Sequence, residues 1–473
     1  MPGFAGYCTR CPLRLRKACK GGRMVYDSPK GNISILVAGD AMITRRISMF
    51  KEPSFTELVD LIRSTDASLV NLEMLFHNFE MSWSNKGTIS FQVSDPSNLA
   101  ELKWMGFRAV TTANNHSYDY NEAEFMTTLS HCKEQGLLQA GGGRNLDEAR
   151  APAYIDTAGG RVALMSATTT YSPESRAGFG RPEFPGKPGV NALRHTLIHN
   201  VPKSAFEALN EVNRGLGYED LEEARRRFLP TGAEEYDRAV ETRFFENRFK
   251  LGKDYSMETY CNKEDLTGIE KWIRSARLTS EWPIYGVHCH ESGAGGEQQS
   301  SGTRTAPPDF LREFAHFCID QGCAMFFAHG PHFLRGIEIY KGKPIFYSLG
   351  NFIFQNETVQ WVPDPAYKGL KLSYNHAAGD WGYARSDGGR FGFAAHRAFY
   401  RSAVAVCRYT GGSLKEVRLY PIDLGFGEPM GQRGRPVMAQ GQVAHEILGW
   451  MQDVSKPFGT RIAVEGDVGV IRV

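Results

Sequence analysis

The stretch Ile33-Ser34-Ile35-Leu36-Val37-Ala38-Gly39-Asp40 reads as a short run of β-branched and aliphatic residues that gives way to a glycine and a carboxylate. A continuous apolar run, rather than an alternating one, is what a strand covered on both faces requires. Asp40 thereby falls at the strand's C-terminal edge, which is where α/β sheets place their ligand sites.

Reading outward from this strand, the same rhythm recurs. Helical spacing over Phe55 to Ser64 precedes a second buried strand, Ala67 to Leu72, which ends at Glu73. The end of a helix at Ala100 to Gly106 leads to a third strand, Ala109 to Ala113, which delivers Asn114, Asn115 and His116 to its tip. Glu122 to Gln135 is expected to be helical and Val162 to Ala167 a strand. Pro283 to Val287 ends in His288, Cys289, His290 and Glu291. After a helix at Pro307 to Gln321, Ala324 to Ala328 runs directly into His329, Gly330, Pro331 and His332. Turns at Lys341-Gly342 and Gly411-Gly412 mark two hairpins, Gly336 to Leu349 and Ser402 to Tyr420. The βαβ alternation predicts an α/β protein.

From Pro173 to Lys253 the pattern changes. Gly, Pro and Arg are dense up to Gly189, and Phe206 to Phe249 reads as a polar, charge-laced helical stretch that fits no strand template. We therefore expect residues 33–473 to form one domain with a helical insertion at about 173–253, following a basic leader over residues 1–32.

A chain of 473 residues with 41 % hydrophobic and 23 % charged side chains has ample material for a core and is far from the disordered classes. Its 55 Lys and Arg nearly balance its 53 Asp and Glu, so no global field recruits nucleic acid or an anionic membrane. An anionic substrate has to be held by a local site. Met1 to Arg23 carries basic residues without the apolar run of a signal peptide or membrane span, so a cytoplasmic location is expected. The nine cysteines are scattered through apolar and motif-bearing stretches, which suits reduced thiols rather than a disulfide framework. Cys8, Cys11 and Cys19 in the leader have the look of a metal knuckle that lacks a local fourth ligand.

Taken singly, an aspartate after a strand is more often a helix cap, and a lone histidine more often a structural residue. The set carries more weight. Asp40, Glu73, Asn115, His116, His288, His290, His329 and His332 all fall at the ends of five expected strands. Carboxylates, an amide oxygen and imidazoles together suit one or two borderline divalent ions, Mn, Zn or Fe, better than Ca or Mg. A two-metal site activates its own water, so such chemistry needs no protein nucleophile.

The blocks Gly39-Asp40-Ala41-Met42, Asn71-Leu72-Glu73 and Ala113-Asn114-Asn115-His116 stand in the order of the first three motifs of the bacterial capsule-synthesis (CapA, poly-γ-glutamate) family, which this chain resembles. Val287-His288-Cys289-His290-Glu291 resembles the fourth motif. His329-Gly330-Pro331-His332 with the run from Ile339 to Phe352 resembles the fifth and the hairpin behind it. The resemblance spans Ile33 to near the C-terminus. It implies a four-layer α/β/β/α sandwich of the calcineurin-like metallophosphoesterase type, with a dinuclear centre at the strand ends. It also implies that Asp40, Glu73, Asn115, His288, His329 and His332 are metal ligands and that His116 is an outer-sphere acid, with His290 a substitute for His329. Arg45, Arg46 and Asn351 are candidates for binding an anionic substrate.

Two departures stand out. Met42 occupies the place of the histidine in the classical Asp-x-His motif, which leaves the first metal a poorer shell, and His329 and His332 are three residues apart rather than two. The expected activity is metal-dependent hydrolysis of an acidic, γ-glutamyl-like amide. A phosphoesterase is one alternative, and a non-enzymatic role in polymer assembly is another.

Overall fold

The structure is a computed structural model that describes residues 30–83, 91–228, 236–245, 247–300 and 302–473. The leader cysteines Cys8, Cys11 and Cys19 lie outside the described residues. It is a mixed α/β fold with several mixed sheets.

The largest sheet has ten strands. Its parallel half places Ile33–Met42 between Ala67–Leu72 and Asn351–Phe354, and continues through Ala109–Thr111 to Leu138–Ala140. Its antiparallel half joins Ile33–Met42 to the long hairpin Arg401–Thr410 and Ser413–Asp423, followed by Val468–Arg472 and Ala463–Glu465. A second sheet of six strands is built around Gly160–Thr168, Trp282–His288 and Met325–His329, all parallel. Ile337–Tyr340 and Lys343–Phe346 form the expected hairpin on one side of it.

One apolar cluster joins the inner faces of the two sheets, from Ile35, Val37 and Leu69 on one to Leu164, Ile284 and Phe327 on the other. The opposite face of the large sheet, including Leu36 and Val70, packs on Phe55, Leu58 and Ile62 of the helix Pro53–Arg63 and on Leu102 and Met105 of Leu99–Met105. The outer face of the second sheet, including Met165, Tyr285 and Phe326, packs on Ile269 and Ile273 of Lys263–Thr279 and on Phe310, Phe314 and Cys318 of Asp309–Asp320. Full burial of each Leu, Ile or Phe in these clusters is worth roughly 1.5–3 kcal/mol. The continuous apolar runs of the sequence follow from this covering of both sheet faces.

Between residues 206 and 249 the structure departs from the helical expectation. Helices Lys203–Gly215 and Tyr218–Phe228 are followed by strands Glu241–Phe244 and Asn247–Leu251, which join His195–Val201 and Ser256–Cys261 in a four-stranded sheet. These strands are short, half-buried and rich in charge, and the Arg248–Glu241 ion pair lies across two of them. A sheet held in this way carries little period-two hydrophobic signal. The six cysteines among the described residues are all buried free thiols. Among the described residues no helix is long and apolar enough to cross a membrane.

Candidate metal centre

Ile33–Met42 does not stop at Asp40. It runs two residues further, and one extra residue between Val37 and Asp40 slips the register against Ala67–Leu72. A bulge of this kind re-aims a side chain. It sets Asp40 opposite Asn71 on one side and Asn351 on the other. The neighbouring strand carries Asn71 and ends at Leu72, and the Glu73 N–H that follows it donates to the Ala41 carbonyl at 3.2 Å. In the second sheet, His288 and His329 are direct neighbours on adjacent parallel strands, and their Nδ1 atoms lie 3.1 Å apart.

The two sheets meet at these tips. His329 Nδ1 is 3.5 Å from Asp40 Oδ1, and Thr111 Oγ1 is 3.2 Å from His329 Nε2. Asp40, His288 and His329 form one group whose potential ligand atoms lie within 4.8 Å of one another, and Glu73, His290 and His332 form a second. His288 ties the groups together: its Nε2 is 3.0 Å from His290 Nε2 and 3.6 Å from Glu73 Oε1. His332 does the same, with Nδ1 3.5 Å from Asp40 Oδ2 and Nε2 3.7 Å from Glu73 Oε1.

Gly330, between the two histidines of the last motif, is a position that only glycine suits. A Cβ at this position would crowd the ring carbons of His288 and His290, and its φ of 118° lies where side chains are disfavoured. Its N–H donates to Asp40 Oδ2 at 3.0 Å. His332 itself sits at φ 65°, a sparsely populated conformation of the kind that concentrates at functional sites.

The electrostatics match a cation site. Burial pushes the Asp40 carboxyl up, yet its hydrogen bonds and charge interactions with His329 and His332 outweigh burial and hold it well below the usual carboxylate range. Burial, helped by the charge of Asp40, drives Glu73 well above its ordinary value. His288 is pushed well down by burial and by its imidazole neighbours, and the partly enclosed His290 is lowered in the same direction by loss of water and by the charges of His332 and His116. Unprotonated imidazoles with converging lone pairs are metal ligands in waiting. Both oxygens of Glu73, which is fully buried, have no hydrogen-bond partner among the described residues. A carboxylate left in that state calls for a cation. The residues present therefore fit one or two divalent metals of the borderline type.

The expected site residues divide by role. Asp40, Glu73, His288, His290, His329 and His332 come together in the two groups. Asn115 Oδ1 is buried and unpartnered among the described residues. His116 Nδ1 is 2.7 Å from Asp119 Oδ2, the carboxylate oxygen that also accepts the Gln92 N–H. Asn351 is fully enclosed. Its Oδ1 is 2.9 Å from His332 Nδ1, and its amide nitrogen donates to the carbonyls of His332 and Phe399, so it fixes the His332 ring. Arg45 turns to the Arg433 carbonyl at 2.6 Å and Arg46 is exposed; neither bonds to the cluster.

Asn71 and Thr111 are the residues that motif reading passes over as ligand supports. The Asn71 amide nitrogen donates to Asp40 Oδ1 at 2.8 Å, and its Oδ1 accepts from Thr111 Oγ1 at 3.0 Å. The signal was present, because an amide in the middle of a fully buried strand must find partners. Asn71→Leu is expected to weaken metal binding by roughly 10–100-fold, the usual cost of losing an outer-shell partner. Titration of the metal-free protein with Zn²⁺ against a competing chelator measures it, and an unchanged affinity would remove Asn71 from the support of the centre.

An α/β protein with buried imidazoles and carboxylates gathered at its strand tips is a protein built around a candidate metal centre. The family model described as "Bacterial capsule synthesis protein PGA_cap" matches residues 34–356, which include every residue of the two groups, and the chain belongs to that family. Two uncharacterised proteins of Sinorhizobium fredii are each 34 % identical to it over 454 residues, 93 % of either chain. The capsule biosynthesis protein CapA of Bacillus anthracis is 22 % identical over 333 residues, 68 % of this chain and 60 % of that one. A probable polyglutamine synthesis accessory protein of Mycobacterium tuberculosis is 45 % identical over 58 residues, 12 % of this chain and 15 % of its own.

Proposed function

We propose that this protein is a metal-dependent hydrolase that cleaves an acidic amide of the γ-glutamyl kind. The observation that carries this reading is the buried Glu73 carboxylate, which has no hydrogen-bond partner among the described residues and is faced by the imidazoles of His288, His290 and His332 at 3.6–3.9 Å. In this reading Asp40, His288 and His329 hold one ion and Glu73, His290 and His332 the other. Asn115 supplies a further ligand through its amide oxygen, which is buried and unpartnered among the described residues. One apolar core between two sheets, with helices on both outer faces, supports the four-layer sandwich of the metallophosphoesterase type.

When bound, such ions lower the pKa of a coordinated water and polarise the group it attacks. The chain's own residues do the rest. The His290 side chain is 32 % exposed while Glu73, His288 and His329 are fully enclosed, so substrate approaches from the His290 side. Asp119 holds His116 by Nδ1 and thereby presents Nε2 as the atom that takes a proton from the attacking water and hands it to the leaving amine. The acidic amide is supported by the names of the relatives, which tie the Mycobacterium tuberculosis protein to polyglutamine synthesis and the Bacillus anthracis protein to capsule biosynthesis.

The test is elemental analysis of the purified protein beside Asp40→Ala and His332→Ala, with turnover measured on a γ-glutamyl anilide and on p-nitrophenyl phosphate. One or two transition-metal ions per chain, lost in both variants, together with anilide hydrolysis, is the expected result. Phosphoester turnover alone would move the assignment to a phosphoesterase. A wild type that stays metal-free after reconstitution would leave a binding role in polymer assembly.

A further inference from the structure

A second cluster of ligand-type side chains, sharing no residue with the strand-end centre, lies where the chain leaves the strand Leu75–Phe76 and meets the helix Glu122–Glu134. His77, Glu80 and Glu124 each offer an atom within 4.8 Å of the others. The side chains of His77 and Glu124 are both fully buried. Glu124 Oε1 accepts the backbone N–H groups of Met81 and Ser82 at 2.9 and 2.6 Å, which fixes the carboxylate. Its other oxygen, Oε2, has no hydrogen-bond partner among the described residues, although it points toward His77 Nδ1 at 3.5 Å.

That separation is informative. It exceeds the 2.7–3.2 Å of an N–H···O hydrogen bond. It matches the edge, about 3.4 Å, of a tetrahedron with bonds of about 2.1 Å, such as zinc makes with nitrogen and oxygen. The plain alternative is an ion pair between a protonated His77 and Glu124. Burial opposes it by disfavouring the charged ring, and the rings of Phe79 and Tyr120, each 4.9 Å away, shut out water. The Phe79 N–H donates to His77 Nδ1 at 3.2 Å, so this nitrogen carries a lone pair rather than a proton. Glu80 completes the set from the exposed side. Its Oε2 accepts the Asn78 N–H at 2.7 Å, and its Oε1 lies 3.1 Å from His131 Nε2.

We propose that His77, Glu80 and Glu124 form a second divalent-cation site, of the zinc or manganese class, that fastens the 77–82 segment to the helix Glu122–Glu134. An unpartnered buried carboxylate oxygen, a buried imidazole whose Nδ1 exchanges the Phe79 N–H for the cation, and a carboxylate at the solvent side give three ligands and leave one position for water. The site is structural: the two backbone donors that grip Glu124 belong to the segment that the cation pins.

The test uses the full chain, equilibrated with excess ZnCl₂, passed through gel filtration and analysed for zinc per chain. Wild type is compared with Glu124→Gln, whose amide oxygen still accepts the Met81 and Ser82 N–H groups, with His77→Phe, which keeps a ring among the aromatic neighbours, and with Asp40→Asn. Glu124→Gln and His77→Phe are each expected to hold one zinc equivalent fewer than wild type and to keep whatever the strand-end centre binds. Asp40→Asn is expected to retain the His77 equivalent. Equal zinc in wild type and Glu124→Gln overturns the site whatever happens to His77→Phe. Loss of all zinc in Asp40→Asn also overturns it, while leaving the strand-end centre intact as a proposal.

Discussion

Glu73→Gln is expected to raise the stability of the metal-free protein while stripping the strand-end centre of its metal. These opposite signs come from one fact: the carboxylate is fully buried and neither oxygen has a hydrogen-bond partner among the described residues. Without a cation, burial and the charge of Asp40 make its ionised form unfavourable. Glutamine has the same shape and no charge, and its amide N–H groups face the lone pairs of His288, His290 and His332. The gain in the metal-free state is on the order of 1–3 kcal/mol, the cost usually attached to an unsatisfied buried polar group. Because the folded protein holds the Glu73 proton more tightly than the unfolded chain does, folding loses stability as pH rises from the ordinary carboxylate value through the raised one. The advantage of Glu73→Gln therefore widens with pH over that window. With metal the order reverses, because a ligand is gone, and turnover falls by at least ~100-fold, beyond the range for outer-shell partners. Urea unfolding of chelator-treated proteins at pH 5 and pH 8, with metal content measured in parallel, reads both effects. A Glu73→Gln protein that is less stable than wild type when metal-free, and still binds its full complement, would show that the carboxylate is satisfied in a way that needs no ion.

Much of this was legible in the sequence because burial on both faces of a parallel strand leaves an unmistakable trace. Ala67–Leu72 falls where the apolar run places it, and His288 and His329 emerge at the tips of two such runs. What the sequence withheld was pairing. Nothing in Val287-His288 or Ala328-His329 says that the two histidines sit side by side across a ladder, or that His290 joins Glu73 and His332 in one group. The bulge before Asp40 is likewise invisible, since it depends on the register against Asn71 and Asn351. The four-stranded sheet around His195–Val201 escaped for a different reason. Its strands, such as Asn247–Leu251, are held partly by ion pairs, and they are too short and too little buried for their few residues to give the alternation by which strands are recognised. The His77 cluster was silent too: His77, Glu80 and Glu124 are ordinary residues until a helix and a loop bring them within reach of one another.

Gly39→Ala is expected to cost at least ~3 kcal/mol, the upper end of what overpacking a core exacts, and to take metal binding with it. A Cβ at Gly39 would overlap the carbonyl oxygen and carbon of Gly350. Both sides of that contact are backbone, so no side chain can swing away to relieve it. Gly350 cannot retreat either, because it lies at φ 75° against Ser402 and the Arg401 carbonyl. The same carbonyl accepts the Asp40 N–H at 3.1 Å. Separating the two segments enough for a methyl group would therefore break that bond and shift Asp40 out of register with Asn71 and Asn351. Gly342→Ala is the control: nothing lies within 4 Å of a Cβ there, and its φ of 72° predicts only the cost of the turn, on the order of 1 kcal/mol. Urea unfolding of the three proteins, with zinc content of each, decides the matter. If Gly39→Ala unfolds within 1 kcal/mol of wild type, the close approach beside Asp40 does not set the position of the ligand.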